Sequence, residues 1–535
     1  MKHAAARPTL RMSAPFKSTQ LTAADAPGAK RGTEGHTIVS MDDAKPEASY
    51  WLTRFAFLRL LGLVYVVAFA VVVNQWQPLL GSHGLLPARE VLDDVAASHG
   101  RGLLTFLRLP TLFLFDPSDT AFRVGGYVGL ALSLCVLLGF ANVPLLLALW
   151  ILYMSYVHAG RTFYGYGWEI LLLETGFLAI FLVPLGALDP FPRRTPPSPI
   201  VILLLRWLIF RVMFGAGLIK LRGDPCWRDL TCMVFHYETQ PIPNPLSWYF
   251  HHLPAWFHSI EVGFNHVVEL IAPLFVFGPR RERHLAGGLI VAFQVLLILS
   301  GNLSFLNWLT ITVALACFDD GLLARLAPAR AHAWIATRTA GAEETKARAI
   351  AVRALAVVVA LLSINPVVNM LSPRQVMNTS FDPFELVNTY GAFGSIGRER
   401  YEIVLEGTAD AQPDDHAQWV EYQFKCKPGD PMRRPCWVSP YHDRLDWQMW
   451  FAAMPGAGTP LWLVRLVARL LEGDHAVRGL LAHGAFEDRP PRWIRGRYYR
   501  YQFTRGGEPG WWRRTLVGEY LPPLSTDSPE LSPDP

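Results

Sequence analysis

Between Phe122 and Lys220 the chain places only ten charged side chains in 99 residues, and apolar runs of membrane-crossing length recur from Phe55 to Leu371. A helical crossing of a bilayer core needs about 20 predominantly apolar residues. Nine runs approach that length: Phe55–Trp76, Phe122–Phe140, Val143–His158, Glu169–Leu188, Ile200–Leu221, Ile260–Phe277, Leu285–Ser300, Asn302–Phe318 and Ile350–Leu371. The expected fold is a polytopic α-helical membrane domain of eight or nine spans. Two pairs of runs, separated only by Ala141–Asn142 and by Gly301, read as tight hairpins or partial spans. Leu103–Phe115 is too short to span and reads as interfacial or re-entrant.

Composition narrows the function classes. Charged residues make up 17% of the chain, against about 25% in soluble domains. The 51% hydrophobic and 12% aromatic content excludes a wholly disordered chain. Six cysteines in 535 residues exclude a disulfide-rich miniprotein. A net charge of +5 gives no basis for nucleic acid as a partner.

Residues 1–49 are polar, without the apolar core of a signal peptide, and read as a disordered cytoplasmic tail. The basic loops are that tail, Arg193–Arg194, Arg280–Arg283 and Arg325–Arg353. With nine spans all four fall on one side, which the positive-inside rule makes cytoplasmic. The membrane domain is then 50–371, with outer loops 77–121 and 222–259 in a lumen or periplasm. Lys220, at an outer end, runs against the rule. After Leu371 the pattern changes. Tyr401–Glu406 and Trp419–Cys426 alternate as half-buried strands do, and Leu461–Leu471 has helical spacing. Residues 380–505 are expected to form a soluble, strand-rich α+β domain on the outer side, and 522–535, with Pro522, Pro523, Pro529, Pro533 and Pro535, a disordered tail.

Ionisable side chains inside spans face partners or cavities rather than lipid. Here they are Arg59, Glu169, Glu174, Arg206, Arg211, Lys220, Glu261, His266 and Glu269. They read first as ion pairs that fix helix packing and second as the lining of a functional cavity. Arg211 needs an anion, which Glu174 or Glu269 can supply. Lys220 is one of eight lysines and stands alone between Lys45 and Lys346. It reads as a lysine snorkelling at a helix end; the rival is a desolvated base, with His266 and Glu269 as the companion candidates for catalysis. In the outer loop, the spacing of Cys226, Cys232, His251 and His252 matches no zinc pattern, so no metal is expected; the two thiols are either free or bridged. Cys426 and Cys436 bracket a turn with Pro428, Gly429, Asp430, Pro431 and Pro435, and in an oxidising compartment they are expected to pair. No nucleotide-binding or hydrolase motif is present, and no cofactor is expected.

Several strings carry a resemblance. Gly217-Leu-Ile-Lys-Leu-Arg-Gly-Asp-Pro-Cys-Trp-Arg-Asp-Leu-Thr-Cys232, His236-Tyr-Glu-Thr-Gln-Pro241, Ser300-Gly-Asn-Leu-Ser-Phe-Leu-Asn-Trp308, Asn388-Thr-Tyr-Gly-Ala-Phe-Gly394 and Phe424-Lys-Cys-Lys-Pro-Gly-Asp-Pro-Met-Arg-Arg-Pro-Cys436 resemble the lipase maturation factor family. So do Ser439-Pro-Tyr-His442 and Leu445-Asp-Trp447, and the similarity runs from about Tyr50 to Phe503. The resemblance implies a multi-pass protein of the endoplasmic reticulum membrane, or of the inner membrane in a bacterium. It also implies a role in folding and assembling secreted dimeric lipases or other hydrolases. The client is expected to meet the C-terminal domain, with Tyr390, Phe393, Tyr441, His442 and Trp447 as candidate contacts. A shorter likeness, Gly217, Lys220 and Leu221, is to vitamin K-dependent carboxylase. It implies the alternative of an intramembrane enzyme with Lys220 as base, acting on a lipid, quinone or protein.

Overall fold

The computed structural model describes residues 49–192, 195–326, 343–414, 416–484 and 486–531. The expected tail, bar Ser49, lies outside them, as do Arg193–Arg194 and most of the Arg325–Arg353 loop. Among the described residues seven helices are long and apolar enough to cross a bilayer: Trp51–Leu80, Asp119–Leu138, Val143–Tyr164, Pro199–Arg222, Ala255–Phe277, Arg280–Ser300 and Lys346–Leu371. The other two apolar runs form shorter helices, Gly167–Ile180 and Leu306–Cys317. A 14-residue helix reaches only about 21 Å. Every residue of Gly167–Ile180 except Phe177 is buried among neighbouring helices. Its apolar character therefore answers to protein rather than to lipid, a distinction that hydropathy does not make.

Local chemistry sets the helix ends. The Asp320 carboxylate accepts from the Trp51 and Leu52 backbone N–H groups, both at 2.8 Å, capping the first helix from the start of the distant Asp320–Leu326 helix. Gly139 ends the Asp119–Leu138 helix at φ +112°, a conformation open to glycine. Three residues on, Asn142 Oδ1 accepts from Leu145 N at 3.0 Å and starts the next helix, so the tight hairpin forms as expected. The first helix lies along Asp119–Leu138; a Cβ on Gly62 would stand 2.6 Å from Leu137 N, so glycine is what allows this approach.

Beyond Leu371, β1 (Thr379–Ser380) pairs with β2 (Asn388–Thr389). A four-stranded antiparallel sheet follows in the order β4-β3-β5-β6, with β3 Arg400–Thr408, β4 Val420–Glu421, β5 Trp493–Phe503 and β6 Trp512–Leu524. Leu461–Leu471 is helical, with Leu463, Leu466, Val467 and Leu470 buried and Arg465 turned out to Glu90. Two expectations change here. Trp419–Cys426 contributes only the two residues of β4 to the sheet. The sheet also continues past 505 through β6, so residues 522–524 belong to a strand, and Leu524 is buried. Pro522 and Pro523 suggested a tail; on the outer edge of a sheet their missing N–H groups cost no ladder bond. Residues 532–535 lie outside the described ones.

Cys426 pairs with Cys436 and Cys226 with Cys232, at Cα separations of 5.5 and 4.8 Å. Cys135 and Cys317 are free. Unfolding without reductant should therefore expose two titratable thiols, and unfolding with reductant all six. Four or more thiols before reduction would contradict the pairing.

Candidate functional site

The charges inside the bundle have partners, and several partners come from the C-terminal domain. Glu169, fully buried at the start of Gly167–Ile180, accepts from Tyr153 Oη, from Trp168 Nε1 at 3.0 Å and from Arg444 Nη1 at 2.8 Å. Arg444 belongs to the soluble domain's Arg444–Ala452 helix, is itself fully buried, and also donates to the Phe163 carbonyl. One turn on, Glu174 is bound by both Arg211 guanidinium nitrogens, by Asn388 N at 3.0 Å and by Tyr390 Oη at 2.8 Å. Arg211 donates to the Asn388 carbonyl. Each carboxylate thus finds a cation and a ring of hydrogen bonds, the condition under which a buried charge is tolerated.

The same joint extends over the outer loop. Arg400, buried on β3, donates to the carbonyls of Glu238, Gln240 and Pro241 and pairs with Glu402 at 2.6 Å. Glu238 accepts from Phe503 N at 2.7 Å. Asn302, after the Arg280–Ser300 helix, donates to the Cys436 carbonyl and accepts from Val438 N and Ser439 N, all within 3.0–3.1 Å. Gln75 donates to the His442 carbonyl at 2.7 Å and accepts from Arg444 N at 3.0 Å.

This joint absorbs the candidate client contacts. Tyr390 is held at Glu174; Trp447 and His442 are buried with Tyr166 and Trp168 in an edge-to-face aromatic cluster. Tyr441 Oη accepts from Asn74 and Gln75 at 3.2 and 3.1 Å. Phe393, half-buried, packs edge-on to His236 at 4.9 Å. Tyr390, His442 and Trp447 are buried in packing against the bundle, while Phe393 and Tyr441 are half-buried at its edge. Arg444, Asn388, Arg400 and Asn302 were not singled out from the sequence. The sequence balances the four intramembrane glutamates against Arg59, Arg206, Arg211 and Lys220, so no local signal showed that Glu169 takes its cation from beyond the bundle.

Lys220 does not snorkel. It turns inward, 4% exposed. Its ammonium donates to Glu269 Oε1 at 2.6 Å, Glu269 Oε2 at 2.8 Å and Asn265 Oδ1 at 2.8 Å, and sits 4.9 Å over the Trp227 ring. Its hydrogen bonds all go to side chains of the helix that follows the outer loop. His266 is apart from this trio: Nε2 contacts the Trp227 carbonyl at 2.9 Å. A π-turn at Val267–Ile271 rotates Glu269 relative to His266, which the regular helical spacing assumed in the sequence reading misses. Glu261 meets Tyr237 Oη at 2.6 Å and His258 at 2.8 Å; Arg206 donates to the Ala316 carbonyl and Tyr50 Oη, both at 2.8 Å. Arg59 donates to the Pro190 carbonyl at 3.1 Å. Asp224, Cys226 and Cys232 come together in space, but the thiols are bridged and Asp224 is bound by Arg398 at 2.7 Å, so no thiolate is offered there.

Removing one partner of a buried pair leaves an uncompensated charge and costs about 3–5 kcal/mol, whereas replacing both with apolar groups is far milder. Arg444→Met and Glu169→Leu singly should each destabilise the protein by that amount, and the double variant by less than either. Thermal unfolding in detergent reads this out; additive losses would contradict the pair.

Titration gives a second check. His442 has no hydrogen-bond partner on either ring nitrogen, and burial, then the nearby Arg444 charge, hold it well below the usual imidazole range. Burial, then Lys220, push His236 down to about 4. Below about pH 6.5 the unfolded chain takes up protons that these folded rings refuse, so each contributes stability that falls by about 1.4 kcal/mol per pH unit. Glu385 works in the opposite sense: burial, then Asp382, push it up to about 8, so its contribution rises as pH falls. The histidine part therefore shows in a difference. From pH 6.5 to 5.5 the wild type should lose about 1 kcal/mol more than His442→Gln; equal slopes would contradict a neutral buried ring.

Comparison with known proteins follows the same division. Residues 52–325 match the lipase maturation factor transmembrane domain, and 386–522 the lipase maturation factor C-terminal domain. The chain is 52% identical over 505 residues to Lipase maturation factor 1 of Bos taurus, covering 89% of this chain and 90% of that one. It is 49% identical over 511 residues to Lipase maturation factor 1 of Homo sapiens, covering 91% and 89%. With Lipase maturation factor 2 of Mus musculus the identity is 31% over 606 residues, covering 90% and 84%. No solved structure matches it. With both domains matched and the relatives covered nearly end to end, this multi-pass membrane protein belongs to the lipase maturation factor family.

Proposed function

We propose that this protein supports the maturation of secreted lipases, dimeric ones included, from a membrane-anchored platform whose C-terminal domain meets the client. The observation that carries the reading is similarity along both domains to relatives named lipase maturation factors, at about half identical residues for the first of them. The buried joint supports it physically: a client-binding domain pinned to the bundle at Glu169 and Glu174 is held at a fixed height and orientation above the bilayer.

The orientation we infer puts the C-terminal domain outside the cytoplasm, in the endoplasmic reticulum lumen or, in a bacterium, the periplasm. Arg280, Arg281 and Arg283 stand with the free Cys317 at the end of the bundle where the first helix begins; Arg280 and Arg283 pair with Asp319 there. Both disulfides stand with the C-terminal domain or its covering loop. A basic, reduced end and an oxidised end agree with the positive-inside rule and with redox compartments. Because Tyr390, His442 and Trp447 are occupied in the joint, the client face we favour is the outer part of the sheet, where Leu516 and Val517 stand 47% and 55% exposed on β6.

Deleting the gene should lower the specific activity of a secreted lipase without lowering its synthesis, and restoring the full chain should restore it. Normal specific activity for every secreted lipase in the deletion strain would overturn the reading.

A further inference from the structure

The turn closed by Cys426–Cys436 lines a pocket of about 70 Å³ at the edge of the joint described above, sharing Cys436 with it. Lys425, Arg433 and Arg434 converge on it, with Trp512 and Pro243 completing the wall. Among the described residues none of these three cations is in an ion pair. Arg433 is fixed by donating to the carbonyls of Phe424 and Lys427, both at 2.7 Å, which uses two of its five N–H groups. Arg434 lies 5.8 Å over the Trp511 ring. The fourth nearby cation, Lys427, is buried against Glu402 at 2.8 Å.

Among the described residues, the acids that face this loop make no ion pair with Lys425, Arg433 or Arg434. Asp446 accepts from Cys426 N and Lys427 N, and burial holds its carboxyl above the usual range. Burial, then Asp446, push Asp443 up as well, against the pull of Lys425. Asp430, exposed, accepts from Met432 N at 2.9 Å. The loop itself is rigid before any ligand arrives: the disulfide, Pro428, Pro431 and Pro435 stiffen it, and Trp511 N donates to the Pro431 carbonyl at 2.9 Å. Three cations outside any ion pair on a pre-formed wall match a small, multiply charged oxyanion, and the fixed guanidinium fork of Arg433 suits its geometry.

We propose that this pocket binds a phosphate-type oxyanion, presented by a phospholipid headgroup or as free phosphate. The position suits the first source. Asn302, two residues beyond the Arg280–Ser300 helix, bonds Cys436 and Val438, so the pocket wall is tied to the outer end of a membrane-crossing helix. Trp437 and Met432, 47% and 61% exposed beside it, are side chains suited to the headgroup boundary.

The test uses the full chain and the exposed pair Lys425→Gln/Arg434→Gln, which leaves the bonds of Arg433 to the loop in place. In maltoside micelles, ³¹P line broadening of inorganic phosphate should saturate with wild type and be weakened about tenfold in the variant. In nanodiscs of phosphatidylcholine with phosphatidylglycerol, native mass spectrometry should show phosphatidylglycerol retained by wild type and lost by the variant. Both effects assign the headgroup; the phosphate effect alone assigns free phosphate. Equal binding by wild type and variant in both arms overturns the proposal. So does an oligoglutamate peptide that binds the pocket when phosphate and the anionic lipid do not, since the site would then take a polypeptide carboxylate. Unchanged thermal unfolding of the variant separates loss of binding from loss of fold.

Discussion

A carboxylate placed inside a membrane bundle must be matched there or it will not stay ionised, and in this protein the matching charge arrives from another domain. Glu169 sits on a short helix enclosed by other helices, and Arg444 reaches it from the soluble domain with no exposure on either side chain. Desolvating each ion costs several kcal/mol, and only close contact with further hydrogen bonds recovers it. Tyr153, Trp168 and the Phe163 carbonyl supply those bonds. The pair therefore binds the two domains conditionally: each is left with an unsatisfied buried charge if the other moves away.

The rest of the architecture follows from that constraint. Glu174 repeats the device one turn along the same helix, taking Arg211 from the bundle and Asn388 and Tyr390 from the segment that leads into the sheet. Arg400 and Asn302 extend it over the outer loop through backbone carbonyls and amides, which carry no net charge and so need no counter-ion. The aromatic cluster of Tyr166, Trp168, His442 and Trp447 then fills the space around the ion pair and keeps water from it. The C-terminal domain thus presents a surface fixed to the bundle, rather than one on a tether.

Much of this was legible in the sequence, for identifiable reasons. Apolar runs marked the seven crossing helices and the two shorter apolar ones, because burial in lipid and burial in protein select the same residue types; for that reason Gly167–Ile180 and a crossing helix look alike. The Leu461–Leu471 face, the Arg211–Glu174 pair and the Cys426–Cys436 bridge could be read from spacing, charge and compartment. The strand β6 could not, because Pro522 and Pro523 are tolerated at a sheet edge that no local pattern reveals. Lys220 was misread as a snorkelling side chain because its partners, Asn265 and Glu269, lie more than forty residues away, with a π-turn altering the helical register between them. The candidate contacts Tyr390, His442 and Trp447 lie in the strings that carry the family resemblance and bear aromatic rings. Distance along the chain concealed that these rings face the bundle.

The central claim is that the C-terminal domain and the membrane bundle behave as one cooperative unit. Hydrogen exchange of the full chain in nanodiscs measures it directly, by comparing the amides of Arg444–Ala452 with those of Gly167–Ile180. If the joint holds as described, both helices exchange through the same opening, with the same free energy and the same denaturant dependence. Exchange of Arg444–Ala452 by an independent, lower-energy opening, while Gly167–Ile180 stays protected, would contradict it.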